Sequence, residues 1–206
     1  MIAWYDWPGG REAMIRLGPD TGPVVIIALP LFEEANRTRT FAVTLMRALA
    51  ERGVASALPD LPGTGESLVA TEAATLADWR SAFAAAAQAV GAFASVAIRS
   101  GALLDAGVAH RWHLAPQDGP ALVRELDRLR DGPTIAGNRV HPDLLATLAV
   151  AQTSAARTVR LTDDARPADT IIAGAPLWRR AEPGNDGDLA ERLADDISDW
   201  VRSCAG

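Results

Sequence analysis

Val24-Val25-Ile26-Ile27-Ala28-Leu29, a helical pattern after it, and then Val54-Ala55-Ser56-Ala57-Leu58-Pro59-Asp60-Leu61-Pro62-Gly63-Thr64-Gly65-Glu66-Ser67 decide the fold. Both apolar runs lack the polar alternation of a half-exposed strand. A strand covered on both faces has no side that meets water, so it reads as continuous apolar sequence. Phe41, Val43, Leu45, Met46 and Leu49 repeat at helical spacing between the two runs, and Gly53 ends the repeat. The stretch is therefore a βαβ unit of a buried, mostly parallel sheet.

Working outward, residues 13–17 read as an opening edge strand, closed by the Gly18-Pro19-Asp20-Thr21-Gly22-Pro23 turn. Thr75 is placed to cap a helix over 76–90, whose Ala84-Ala85-Ala86-Ala87 run suits close packing on a sheet. Residues 94–98 and 108–114 are the next strands, with an apolar helical stretch at Leu103-Leu104 between them, ending near Gly107. Residues 119–152 read as two helices, 120–130 and 142–152, joined by Gly132-Pro133 and Gly137-Asn138. Strands at 159–161 and 170–173 and a closing helix at 189–201, with Leu193, Ile197 and Trp200 on one face, complete the pattern.

The chain has 206 residues, 49% of them hydrophobic, and a formal net charge of −6. That length suits one α/β domain with a sizeable core. The acidic balance gives no electrostatic case for nucleic acid. A single cysteine, Cys204, excludes an intrachain disulfide, and no Cys/His spacing suggests a zinc site. The first residues lack the cationic start and apolar core of a signal peptide, and no apolar run approaches membrane-spanning length. The expectation is a cytoplasmic protein without membrane insertion, metal or other cofactor.

Asp60, Gly63, Gly65 and Ser67 form an Asp-x-x-Gly-x-Gly-x-Ser turn in which glycines permit tight reversal and the Asp and Ser side chains can bond backbone amides. Their own chemistry reads as architectural. With this turn after its second apolar strand, the chain resembles the α/β-hydrolase superfamily. Pro30-Leu31-Phe32-Glu33-Glu34-Ala35-Asn36-Arg37-Thr38-Arg39, Leu58 to Gly65, Ile135-Ala136-Gly137-Asn138-Arg139-Val140-His141-Pro142 and Gly174-Ala175-Pro176-Leu177-Trp178 further resemble hydrolases associated with the exosortase A system of exopolysaccharide-producing bacteria. The resemblance implies one α/β-hydrolase-like domain over 1–206, with helices on both faces of the sheet and a small helical cap insertion at about 119–152.

A hydrolase of that kind places its nucleophile on a strained strand-to-helix turn flanked two positions away by small residues. In Ala97-Ile98-Arg99-Ser100-Gly101 the small flanks Ala97 and Gly101 centre the turn on Arg99, whereas centring it on Ser100 would put bulky Ile98 at a flank. A guanidinium stays protonated and has no free lone pair, so Arg99 is no acyl nucleophile. No histidine follows the last strand. Only the acid has a positional counterpart, Asp163 or Asp164. The histidines lie elsewhere: His110 and His113 on a strand, and His141 just before a helix of the implied cap.

Three readings follow. The first is a protein degenerate at the triad that binds a small anionic ligand or a protein partner, with Arg99, Glu33, Glu34, Asn36 and Trp178 as ligand-contacting candidates. Glu33, Glu34, Asn36 and Arg39 are expected on a loop, and Arg99 at the start of a helix whose free amides also attract anions. A salt bridge from Arg99 to Glu33 or Glu34 is the alternative use of the same residues. The second reading is an unorthodox ester or thioester hydrolase with Ser100 as nucleophile, His141 as base and Asp163 as acid. The third is a structural scaffold whose cap binds another protein.

Overall fold

The structure, a computed structural model, describes residues 1–132, 134–135 and 138–205. Pro133, Ala136 and Gly137, which the sequence places in the connections between two helices, lie outside the described residues. The elements run β1 (Ile2–Trp7), β2 (Gly10–Leu17), β3 (Val24–Ala28), α1 (Glu33–Glu51), β4 (Ala55–Pro59), α2 (Leu76–Ala89), β5 (Ala94–Ile98), β6 (His110–Leu114), α3 (Gly119–Arg128), β7 (Arg130–Asp131), β8 (Thr134–Ile135), α4 (Pro142–Leu148), β9 (Arg157–Leu161), β10 (Thr170–Ile172) and α5 (Gly187–Ala205).

Eight strands form one sheet in the order β1-β2-β4-β3-β5-β6-β9-β10, and β7 with β8 makes a separate small hairpin. β1 and β2 pair antiparallel, β2 runs antiparallel to β4, and every later pairing in the large sheet is parallel. β3 sits at the centre, and its side chains show why its sequence is apolar throughout. Val25 and Ile27 face a core with Phe41, Leu45 and Leu49 of α1 and Leu193, Ile197 and Val201 of α5. Ile26 and Ala28 face a second core with Trp79 and Phe83 of α2, Leu122 and Leu126 of α3, and Leu144 and Leu148 of α4.

Several elements differ from the sequence expectation: the β7–β8 hairpin falls where only a connection was read, and α4 ends at Leu148 and not at residue 152. β1 was not expected, because its apolar residues fall on both faces of an edge strand: Tyr5 is buried while Ile2 and Trp4 are exposed. A further difference is that α1 begins at Glu33, so Glu33, Glu34, Asn36 and Arg39 lie on its first turns and not on a loop. No Gly or Pro interrupts 33–51, and two carboxylates in the first turn suit the positive end of the helix dipole. The Thr75 cap is present as a full capping box with Asp78.

The 60–67 turn is held by local bonds. Ser67 Oγ accepts from the Gly63 and Val69 amides and donates to Glu12, while Asp60 accepts from the Glu66 amide and pairs with Arg39 at 2.9 Å. Gly63 and Gly65 have φ of 76° and 54°. A Cβ on Gly65 would also stand 2.4 Å from the Asp60 carboxylate. A Cβ on Gly63 would meet the Thr71 backbone at 2.9 Å, so Gly63→Ala and Gly65→Ala are each expected to cost about 1 kcal/mol or more, read as lowered urea midpoints. Unchanged midpoints would remove the architectural role of the turn.

Candidate functional site

Parallel sheets offer ligand sites beyond the carboxyl ends of their strands. At that edge the chain leaves β5 through a tight turn. Arg99 has φ 55°, a left-handed conformation that a residue of this size adopts only where the surroundings impose it. The cause is visible in its neighbours. Ala97 is fully buried and registers with Ala28 of β3, and Gly101 lies so close to β3 that an added Cβ would meet the Ala28 and Leu29 carbonyl oxygens at 2.5 Å. Small residues at these two positions let the turn close, and Arg99 is its apex.

The expected helix after Arg99 is not there. Residues 99–103 form a single 3-10 turn. Adjacent parallel strands need a crossover of about a dozen residues or more, and only 99–109 separate β5 from β6, too few for a helix with its connections. The anion-attracting character of this point therefore comes from the guanidinium and not from a helix dipole.

That guanidinium is almost fully enclosed. Its Nε and Nη2 donate to the two oxygens of Glu34 at 3.2 and 3.3 Å, a bidentate grip, and Nη2 also donates to Glu125 of α3 at 3.2 and 3.3 Å. Its carbon lies 5.5 Å from the Trp178 ring centroid. Trp178 is carried by the turn after β10, and Arg37, ion-paired with Glu33, donates to its carbonyl. α1, α3 and the β10 turn thus converge on Arg99. Asn36 is exposed and does not touch it.

Beside Arg99 a polar cleft of about 240 Å³ is lined by Gln117, Glu125, Asp163, Asp164, Arg166 and Arg179. Asp164 is bonded by Arg166 and Arg160, which hold its carboxyl far below the usual range, the Arg166 bond being the stronger cause. Glu34 shows the opposite. Burial pushes its carboxyl above the ordinary value, against the pull of Arg99. A carboxyl raised on folding contributes stability below the ordinary range and loses it as pH rises through the folded value. Glu34→Gln abolishes that titration, so its stability relative to the parent should improve as pH rises out of the ordinary carboxylate range, followed by urea midpoints. A difference independent of pH would mean that Glu34 titrates as in the unfolded chain.

Solved structures share this architecture at low identity. Alpha/beta hydrolase domain-containing protein 10 from mouse superposes with a TM-score of 0.67 and 15% identity, covering 99% of each chain. Est1E from Butyrivibrio proteoclasticus, with ferulic acid bound, gives 0.62 and 13% over 98% of this chain and 97% of that one. The esterase domain of a Rhodothermus marinus protein gives 0.62 and 16% over 98% of each chain. The chain has the α/β-hydrolase fold. No family model and no curated protein matches the sequence. At such identities the likeness establishes architecture alone, and the chemistry has to be read from the side chains.

In α/β-hydrolase terms, the nucleophile position is Arg99. Ser100, next in the chain, is fully buried, and its Oγ accepts from the Leu31 amide at 2.9 Å. That amide belongs to the loop after β3, which in a working hydrolase supplies an oxyanion donor, so Ser100 occupies that donor, and its side chain lines neither the polar cleft nor the cavity beside α2. Asp163 lines the polar cleft, and His141 sits at the N-terminus of α4 with its Nδ1 accepting from the Asp143 amide. Among the described residues no hydrogen bond or ion pair joins any two of Ser100, Asp163 and His141. His110 stacks on Phe93.

A different Ser, Asp and His do meet, out of reach of solvent. Ser95 Oγ donates to Asp105 Oδ2 at 2.6 Å, and His113 Nε2 lies 2.9 Å from the same oxygen. All three are essentially unexposed. Both partners bond the acid and neither bonds the other, so no base faces the serine and the cluster is a structural network. Glu125 is the contact that sequence reasoning missed. It stands on an amphipathic helix among other charges, and nothing in the chain order marks it as a partner of residue 99.

Proposed function

We propose that this is an α/β-hydrolase-fold protein that does not hydrolyse esters and instead binds a ligand or a protein partner, with Arg99 at the centre of its site. The observation that carries the reading is Arg99 at the apex of the elbow, gripped by Glu34 and Glu125 and stacked on Trp178. A permanent cation there excludes acyl transfer and favours an anion. Sequence resemblance supports an exopolysaccharide or exosortase-linked setting, and the reading is of a cytoplasmic protein. The segment 119–152 serves as the cap over the polar cleft, to which α3 contributes Glu125. No helix among the described residues is long and apolar enough to cross a membrane.

The cleft suits a small anion that exchanges with one of the two carboxylates already on Arg99. Exposure decides which. The Glu34 side chain is 16% exposed and bidentate, whereas that of Glu125 is 43% exposed, so Glu125 is the one a ligand displaces. Glu125→Gln should therefore tighten binding of acetate or inorganic phosphate several-fold by calorimetric titration, on the scale of one exposed ion pair. Unchanged or weaker binding would remove the exchange model.

The absence of hydrolysis is tested with a fluorophosphonate probe. No covalent label is expected on the folded chain. Stoichiometric labelling lost in Ser100→Ala would overturn the reading and make Ser100 a nucleophile.

A further inference from the structure

A second cavity shares no lining residue with the polar cleft, and its lining includes neither Arg99 nor Ser100. It measures about 240 Å³ and opens between the start of α1, the 61–65 turn and the first turns of α2. Phe32, Leu61, Trp79 and Phe83 give it apolar walls. An apolar cavity of about 150 Å³ is already enough to hold a benzene ring, so this one has room for a ring and a short substituent. From this geometry we infer a ligand site for a small, uncharged molecule with one aromatic ring and one hydrogen-bonding end. It goes beyond the Arg99 site and is independent of it.

The uncharged class follows from the rim. The charged groups that line the mouth, Glu33 and Arg39, are each already paired, with Arg37 at 3.5 Å and with Asp60 at 2.9 Å. An ion entering would have to break one of these pairs or go unmatched. Asn36, exposed at the same mouth, makes no hydrogen bond or ion pair among the described residues and can donate to or accept from a neutral polar end. The preference for a ring follows from the walls. Trp79 holds its indole nitrogen on the Pro62 carbonyl, which fixes the plane of the indole, and Phe32 meets it edge-on with centroids 5.6 Å apart.

Backbone strain supplies an independent observation. Phe32 has φ 60° and ψ −138°, a conformation almost confined to glycine. Such a residue persists only where its surroundings over-determine it, and here it places an aromatic ring as one wall of the cavity. A glycine at this position would relieve the strain and remove the wall.

The experiment uses benzyl alcohol and benzamide as probes, with acetamide as the polar end alone and benzoate as the charged counterpart. Benzyl alcohol and benzamide should bind saturably at millimolar concentration, raise the melting temperature and perturb tryptophan fluorescence, a change that Trp79→Phe removes. Acetamide should not bind, and benzoate should bind about tenfold more weakly than benzamide. Ala35→Leu, which fills the cavity from a half-buried position on the first turn of α1 outside the buried core, should weaken benzamide about tenfold or more while the fold is retained. No saturable binding of either aromatic probe, or binding equal in the parent and Ala35→Leu, overturns the inference. Fluorophosphonate labelling of Ser100 would not bear on it, so the two readings fail separately.

Discussion

Arg99→Met is expected to lower stability by about 3–5 kcal/mol at neutral pH, the range for breaking a buried ion pair from one side. The guanidinium neutralises two carboxylates, and Met, of similar length, would leave Glu34 and Glu125 facing each other across an apolar chain. Because burial has already raised Glu34, that residue will take up a proton in the variant, and the loss should shrink as pH falls. Arg99→Met/Glu34→Gln should therefore recover a large part of the loss, a non-additivity that a double-mutant cycle in urea measures directly. Strict additivity would show that the pair is not coupled. Affinity for acetate or phosphate should disappear in Arg99→Met. If the anion still binds while stability falls, Arg99 is a structural ion-pair partner and the ligand site lies elsewhere.

Gly101→Ala is the second large effect, at about 3 kcal/mol or more. Overpacking a core position costs about 1–3 kcal/mol where side chains can move aside. Here the atoms in the way are the backbone oxygens of Ala28 and Leu29, 2.5 Å from the new Cβ, at the end of the central strand. They cannot shift without opening the β3–β5 pairing that registers Ala28 with Ala97. Gly107→Ala is the control, since nothing lies within 4 Å of its Cβ position. Its unfolding midpoint should be almost unchanged. A cost below about 1 kcal/mol for Gly101→Ala would mean the elbow can open, and the argument that small flanks force Arg99 to the apex would weaken with it.

The apex itself was legible before any coordinates. Steric demand at a tight turn is local: which residues flank the apex at two positions decides which one can stand there, and Ala97 and Gly101 point to Arg99. The strands were legible for a similar reason. β3 and β5 are apolar along their whole length because each is covered on both faces, and burial of that kind leaves its mark on every residue. Edge strand β1 carries no such mark. Its outward side chains are not constrained in type, and Ile2 and Trp4 are apolar though exposed.

What the sequence determined by itself, then, is what nearest neighbours along the chain decide: the central βαβ unit, the Thr75 cap, the glycine-bearing 60–67 turn, the residue at the elbow and the absence of a histidine after the last strand. The tertiary structure chose between the two carboxylates expected beside Arg99, giving it Glu34 while Glu33 pairs with Arg37, and it alone supplied the partner that chain order did not mark, Glu125. Glu34 and Glu125 come to Arg99 from positions 65 and 26 residues away, and Trp178 comes from beyond β10. It also decided that Glu33 to Arg39 are helical, that Ser100 turns its hydroxyl to the Leu31 amide, and that a second cavity opens beside α2. The physical reason is that a charge or an aromatic face is satisfied by whatever the packed sheet brings within a few ångströms. Chain order sets which turns can form, but only the closed packing of helices on both faces of the sheet sets those distances.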